Sequence, residues 1–194
     1  QIINTIIIQS MIISLAGRQG SGKTTVGKML AEKLWFERFS TGDFMREMAM
    51  EKGMTLMELN TYSETDGGKV DAILDERQKK LWEEKDNFII DARLAWHFIP
   101  RSFKVYLTVD DFVWASRIVW DSSNPLRHST DVHASIEEAM KTTQARRESE
   151  SKRYMALYQV DNHDLSHYDL VIDTTHISPT EVVGQILDAI KQKN

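Results

Sequence analysis

Residues 17–25 constrain the fold of this chain more than any other segment. They read Gly-Arg-Gln-Gly-Ser-Gly-Lys-Thr-Thr and match the phosphate-binding pattern G-x-x-x-x-G-K-[ST], the Walker A loop, at every position. An apolar run at 11–16 is typical of a buried strand, and residues 26–34 have apolar positions at helical spacing. In this order of strand, loop and helix, backbone N–H groups and the helix dipole point at one anion. The sequence therefore predicts a nucleoside triphosphate site.

The residues of this loop are expected to contribute to nucleotide binding in different ways. Glycine is expected at three positions because the backbone must approach the phosphate closely, often with positive φ. Lys23 is expected to reach the β- and γ-phosphates, and the Thr24 hydroxyl is expected to ligate Mg²⁺. The predicted ATP-binding residues are Gly17, Arg18, Gln19, Gly20, Ser21, Gly22, Lys23, Thr24 and Thr25.

The rest of the chain alternates strand-like runs with helical patterns. Strand-like runs occur at 88–91, 103–108 and 169–173, and helical patterns at about 43–60, 68–84, 110–121 and 133–158. A capping box of Ser178 and Glu181, with Pro179 as the first helical residue, begins a last helix. Such alternation predicts an α/β fold in which helices cover both faces of a parallel sheet. The length of 194 residues fits one domain.

Composition narrows the functional class further. The absence of cysteine excludes thiol catalysis and cysteine-ligated zinc, and it fits a reducing compartment, so we expect a cytoplasmic protein. The formal net charge of −5 argues against general affinity for nucleic acid or anionic membranes. Residues 1–10 carry isoleucines without a basic region, and we interpret them as an upstream extension that is either disordered or adds to an edge strand. We expect a monomer.

A second group of candidate residues lies at the predicted ends of strands. A glycine–acid turn at 41–46 opens a helix, so Asp43 and Arg46 share a face where a cation can hold a second phosphoryl group. For this turn alone, we favour the alternative that Asp43 caps the helix and Arg46 is its solvated partner. Asp91 follows a strand at the sheet edge where ligands bind, and it is expected to orient Mg²⁺ or its waters. Arg93 is expected to meet the phosphate under attack, the alternative being a loop salt bridge.

A series of arginines in the second half suggests phosphoryl transfer. Guanidinium groups stabilise the charge on a transferring phosphoryl group, and one such arginine is worth about 10³–10⁵ in rate. Spacing places Arg146, Glu150 and Arg153 on one helical face. Because a phosphate loop is present, we assign the two arginines of this face to the reaction and leave Arg147 on a charged helix surface. The series consists of Arg117, Arg127, Arg146, Arg147 and Arg153.

Taken together, these segments resemble nucleoside monophosphate kinases, and most closely the archaeal-type cytidylate kinases. The resemblance runs from residue 11 to the C-terminus. It rests on residues 17–25, 40–46, 75–78, 91–95, 146–154 and 168–174. The resemblance implies a three-layer α/β/α fold with a five-stranded parallel sheet, a helical insert for the monophosphate at about 41–84 and an arginine-bearing lid at about 120–150.

The resemblance also implies a reaction and a set of roles. ATP would phosphorylate CMP or dCMP with the help of Mg²⁺. The residues facing the monophosphate would be Thr41, Asp43, Arg46 and Arg93. The catalytic residues would be Lys23, Arg93, Arg117, Arg146 and Arg153, and the metal would be held by Thr24 and by Asp91, directly or through water.

Several alternatives remain open at this stage. The acceptor can be AMP, UMP or the hydroxyl of a small metabolite, or the chain can be a nucleotide-dependent switch, although the Asn-Lys-x-Asp motif of GTPases is absent. Asp71 and Asp75 either meet the cytosine amino group or are solvated helix charges, which we favour. His163 and His167 have metal-like spacing but lack a clear third ligand, so we interpret them as surface residues. Residues 121–133 form either a lid or an ordinary loop.

Overall fold

A five-stranded parallel sheet forms the centre of the computed structural model, which describes residues 10–123 and 135–193. The strands are β1 (Ile12–Gly17), β2 (Glu37–Ser40), β3 (Phe88–Asp91), β4 (Phe103–Thr108) and β5 (Leu170–Asp173). Their order is β2-β3-β1-β4-β5, and each neighbouring pair is parallel. The predicted sheet is thereby confirmed. β2 showed no apolar run in the sequence because it reads Glu-Arg-Phe-Ser.

Helices cover both faces of this sheet, which confirms the three-layer α/β/α prediction. Leu30 and Ile186 belong to the core on one face, and Phe98 and Tyr158 belong to the packing on the other. A 3₁₀ turn at Leu165–His167 precedes β5. The helices are α1 (Lys23–Leu34), α2 (Thr41–Glu51), α3 (Leu56–Ser63), α4 (Lys69–Glu84), α5 (Ala95–Phe98), α6 (Asp111–Ser123), α7 (Ile136–Tyr158) and α8 (Pro179–Lys193).

The structure differs from the sequence pattern between α2 and α3. The single helix expected at about 43–60 is wrong, because Gly53 adopts a φ of 64° and a new helix begins after it. Thr55 and Glu58 form the capping box of α3, in which the Glu58 carboxylate accepts from the Thr55 N–H at 2.7 Å. Ser40 occupies the N-cap position of α2, so the alternative in which Asp43 caps this helix is wrong. The capping box predicted for α8 is present.

The segment predicted as the acceptor insert folds into α2, α3 and α4. These helices share an apolar cluster of their own, which consists of Met45, Met48, Ala49, Leu56, Leu59 and Val70. Of the predicted lid, residues 121–123 end α6 and residues 136–150 belong to α7, whereas 124–134, with Arg127, lie outside the described residues. Residues 1–9 of the leading extension lie outside them too. No described helix combines the length and apolar character needed to cross a membrane.

Candidate active site

The β1–α1 loop has the backbone shape that close phosphate approach requires. Gly17 adopts a φ of 138°, and a Cβ at this position would lie 2.2 Å from the Leu107 carbonyl oxygen. Gly20 has a φ of 67°, and Gly22, with a φ of 89°, is the N-cap of α1. The expectation of positive φ is confirmed at all three glycines. Because α1 begins directly after Gly22, its first N–H groups have no intrahelical partner and are available to an anion.

Lys23 lies inside this loop. Its Nζ donates to the carbonyl oxygens of Gly17 at 3.0 Å and Arg18 at 2.6 Å, and the Ser21 hydroxyl also donates to Arg18 at 2.7 Å. Burial lowers the pKa of Lys23 to about 8, against the opposing effect of the Asp91 carboxylate. A desolvated ammonium gains from a negatively charged partner, so this side chain favours a bound phosphate. Gln19 and Thr25 are half-buried in the same loop and first helical turn.

Asp91 lies at the carboxyl end of β3, in register with Leu15 of β1 and Ser40 of β2. Its carboxylate is 4.0 Å from the Arg38 guanidinium, and its backbone oxygen accepts from the Thr41 hydroxyl at 3.3 Å. Thr24 is exposed in the first turn of α1. Hydroxyl and carboxylate oxygens suit Mg²⁺, which usually keeps several waters and also binds nucleotide phosphates. This donor set fits that ion. Among residues 10–123 and 135–193, no cluster of three or more His, Cys, Asp or Glu side chains forms a cage of protein ligands alone.

A buried carboxylate connects α7 with the phosphate loop. Glu150 is 5% exposed, and its two oxygens each lie 3.0 Å from an arginine Nε, one from Arg93 and one from Arg146. The Arg93 guanidinium also donates to the Gly17 carbonyl at 2.5 Å. Burial alone would raise the pKa of Glu150, but the two guanidiniums outweigh it and hold that pKa below its ordinary value. Glu150 thus fixes both arginines beside the loop. The i, i+4 spacing from Arg146 was the sequence signal for this role.

Arg153, on the same helix, pairs with a different carboxylate. Its Nε lies 3.0 Å from Asp71 Oδ2 of α4, and Asp71 is 5% exposed. Burial raises the pKa of Asp71, and Arg153 opposes that rise. The neighbouring Asp75 accepts a hydrogen bond from the Tyr158 hydroxyl. The interpretation of Asp71 and Asp75 as solvated helix charges is therefore wrong, because α7 covers both of them.

The remaining predicted cations hold other positions around the loop. Arg117 of α6 donates to the carbonyl oxygens of Gly20 at 3.2 Å and Thr174 at 2.9 Å, which joins the phosphate loop to the end of β5. Arg46 pairs with Asp43, whose other oxygen lies 3.4 Å from Arg38. The structure thus gathers Lys23, Asp91, Arg93 and Arg146 at the loop. It gives Arg46 and Arg153 carboxylate partners of their own, whereas Arg117 contacts the loop through the Gly20 carbonyl.

A small pocket opens beside the start of the loop. Arg147 lines it and is half-buried, contrary to its expected place on a charged surface. His163 also lines this pocket and lies 3.1 Å from the Ser151 hydroxyl, whereas His167 stacks on Trp96 with 3.9 Å between ring centroids. The two histidines therefore have separate surroundings. The pocket is lined by Ala16, Gly17, Arg18, Arg93, Tyr106, Arg147, Glu150, Asn162 and His163.

Solved structures with this architecture include shikimate kinases. The enzyme from Acinetobacter baumannii, in complex with shikimate, gives a TM-score of 0.60 at 19% identity, with 96% of each chain covered. The enzyme from Bacteroides thetaiotaomicron gives a TM-score of 0.61 at 17% identity, covering 94% of this chain and 99% of that one. At these identities the similarity concerns the fold alone.

Sequence relatives give a narrower result. The cytidylate kinase of Methanocella arvoryzae is 40% identical over 182 residues, covering 94% of this chain and 98% of the relative. That of Thermoplasma volcanium is 36% identical over 186 residues, covering 94% and 92%. A family model described as the cytidylate kinase-like family matches residues 12–176. With this match and these identities, the chain belongs to the cytidylate kinase-like family.

Proposed function

We propose that the chain is a nucleoside monophosphate kinase that transfers the γ-phosphoryl group of ATP to CMP or dCMP, giving ADP and CDP or dCDP. One observation carries this proposal. A phosphate loop containing Lys23 faces Arg93 and Arg146, both held by the buried Glu150. The relatives of this chain are named cytidylate kinases, which supports cytosine as the base of the acceptor nucleotide.

The reaction that this site suits is an in-line displacement without a covalent enzyme intermediate. The attacking oxygen belongs to a phosphate whose second pKa is about 6, so it is already ionised near neutral pH. No strong general base is needed, and catalysis consists of positioning and neutralising charge. Lys23 and the loop N–H groups bind the donor, while Arg93 and Arg146 stabilise the transferring group. Mg²⁺, held by Thr24 and Asp91, would supply further positive charge against the phosphates when bound.

The acceptor phosphate is proposed to bind where α2 begins. Thr41 opens this helix and is tied to the end of β3 by its bond to the Asp91 carbonyl. Asp43 lies in the first turn of this helix, Arg46 follows it by three residues, and Arg93 approaches from beyond β3. Arg46 and Arg93 are the cations of this group, and they suit the charge of a second phosphate. Arg117 was expected to contact the transferring phosphoryl group, but its guanidinium donates to the Gly20 and Thr174 carbonyls, so we propose that it positions the loop.

The resemblance placed Arg153 among the catalytic residues, but its guanidinium pairs with Asp71, and we propose instead that this pair reads the base. Cytosine presents an amino donor beside ring acceptors, whereas uracil has a carbonyl in place of that amino group. A carboxylate beside a guanidinium offers an acceptor next to donors, which is complementary to the cytosine edge. The pair is buried between α4 of the acceptor insert and α7. A uracil carbonyl would face the Asp71 carboxylate without a hydrogen bond.

Replacing Asp71 with asparagine is expected to reduce base discrimination. The amide puts a donor where cytosine also has a donor, so kcat/KM for CMP should fall about 10- to 100-fold and that for UMP much less. Steady-state kinetics with both nucleotides would measure the ratio. Glu76→Gln, an exposed change on the same helix, is the matched control and should leave the ratio unchanged. An equal loss for CMP and UMP would make Asp71 a structural residue only.

The proposed function itself is tested with Mg·ATP and six possible acceptors: CMP, dCMP, UMP, AMP, GMP and dTMP. ADP release is followed in a coupled assay, and turnover led by CMP or dCMP is the expected result. Turnover led by another monophosphate would replace the cytosine assignment and keep the kinase. Slow ATP hydrolysis that no monophosphate stimulates would reject the kinase and favour a nucleotide-dependent switch.

A further inference from the structure

Arg147 is a charged residue near the phosphate loop that the proposed mechanism does not use. It follows Arg146 directly on α7, yet its side chain lines the pocket formed with Gly17, Arg18 and Arg93. Gly17 is also the residue whose carbonyl oxygen lies 3.0 Å from Lys23 Nζ. In loops of this type the conserved lysine reaches the β- and γ-phosphates. The pocket therefore adjoins the γ-phosphate end of the donor site.

The cations around this pocket differ in their carboxylate partners. Arg18 pairs with Asp111, and Arg93 pairs with Glu150. Within residues 10–123 and 135–193, Arg147 has no carboxylate within ion-pairing distance. Burial lowers the pKa of Arg147, and the neighbouring Arg18 lowers it further. A half-buried guanidinium beside like charges is unfavourable until an anion joins it, so the pocket suits a group with several negative oxygens.

We infer that Arg147 is a catalytic residue that contacts the γ-phosphoryl group during its transfer, an inference that rests on the proposed kinase activity. An acceptor phosphate oxygen forms the new bond to the γ-phosphorus. The bond from that phosphorus to the bridging oxygen breaks, and its electron pair leaves with ADP. Charge spreads over the equatorial oxygens in between, and the planar Arg147 guanidinium can bind two of them while remaining protonated.

The test compares Arg147→Ala with Arg147→Lys and with Lys152→Ala, an exposed cation on the same helix as control. Arg147→Ala should lower kcat about 10²- to 10³-fold, the loss typical of one transition-state donor. The KM for CMP and the Kd for Mg·ATP should change less than about threefold, because this contact forms mainly in the transition state. Arg147→Lys keeps the charge but not the two-pronged geometry, and it should recover part of kcat. Lys152→Ala should match the unmodified chain.

A binding measurement separates this inference from the proposed function. Aluminium fluoride mimics the transferring phosphoryl group, so it should tighten ADP binding to the unmodified chain. It should tighten ADP binding to Arg147→Ala much less. Both affinities are measured with and without CMP. Arg147→Ala should unfold at the same temperature as the unmodified chain or at a higher one, which shows that it folds. The inference is overturned if the kcat of Arg147→Ala stays within threefold of that of the unmodified chain, or if only its KM changes. It is also overturned if aluminium fluoride tightens ADP binding equally in both proteins. Absence of CMP turnover in the unmodified chain would instead reject the proposed function.

Discussion

Lys23→Ala is expected to lower kcat by about 10³-fold or more, the largest effect of any single change in the chain. The ammonium lies between the Gly17 and Arg18 carbonyls and is the charge nearest to where the β- and γ-phosphates bind. Its removal also weakens Mg·ATP binding. Single-turnover kinetics at saturating ATP would separate the loss in chemistry from the loss in affinity.

Folding of the Lys23 variant should be preserved, which makes the activity loss interpretable. Burial lowers the pKa of Lys23 to about 8, so holding its charged form in the ligand-free protein is unfavourable. We therefore expect Lys23→Ala to unfold at the same temperature as the unmodified chain or at a higher one. Lys28→Ala, an exposed lysine on the same helix, is the control and should keep full activity. Near-normal turnover in Lys23→Ala would refute the assignment of the loop.

The pKa of Lys23 also gives a pH dependence with a defined sign. Bound phosphate stabilises the ammonium, so the complex holds a proton that the ligand-free site loses as pH rises through about 8. Mg·ATP affinity should fall above pH 8, by up to tenfold per pH unit, with proton uptake on binding. Calorimetry in two buffers of different ionisation enthalpy measures that uptake. Lys23→Arg, which stays charged, should show neither effect, and a flat profile in the unmodified chain would contradict this account.

Glu150→Gln is expected to impair both stability and catalysis. The glutamine keeps the shape but leaves Arg93 and Arg146 without their shared negative charge in a buried site. Breaking a buried ion pair in this way costs about 3–5 kcal/mol of unfolding free energy. Because Glu150 no longer orients the Nε atoms of both guanidiniums, kcat should fall about 100-fold, whereas the KM for ATP should change little.

Urea unfolding and steady-state kinetics at a temperature where all variants are folded would measure the two effects of the Glu150 change. Glu148→Gln, two residues away and exposed, is the matched control and should leave both quantities unchanged. Glu150→Asp retains the charge and should recover part of each. A loss of stability with an unchanged kcat would mean that Glu150 supports the fold and does not position the arginines.

The sequence predicted those parts of the site that depend on neighbouring residues. The phosphate loop, its positive-φ glycines and the following helix all lie within one short segment, so spacing alone determines their geometry. The capping box of α8 was predictable for the same reason. β2 was not predicted as a strand from its own residues, because its polar sequence carries no period-two apolar pattern.

Contacts between distant segments were beyond the sequence pattern. Glu150 and Arg93 are 57 residues apart, and Arg153 and Asp71 are 82 residues apart. Each pair depends on how α7 packs across the sheet and against α4. Arg146 and Arg147 point about 100° apart around a helix, so the roll of α7 determines which of them faces the loop. Between residues 141 and 153 the sequence of α7 contains one apolar residue, Ala145, so no apolar stripe reveals this roll.

The position of α7 has a mechanical consequence for the whole molecule. Glu150 fixes this helix to the phosphate loop, and Arg153 and Tyr158 fix it to α4. From Glu150 to Tyr158 the helix rises about 12 Å without interruption, so it links the phosphate loop rigidly to α4. A displacement of α4 would therefore either break the bonds from Arg153 and Tyr158 to this helix or tilt α7. A tilt of α7 would move Glu150 and, with it, Arg93. If the acceptor contacts α4 as proposed, we expect its binding to change the position of Arg93 beside the phosphate loop.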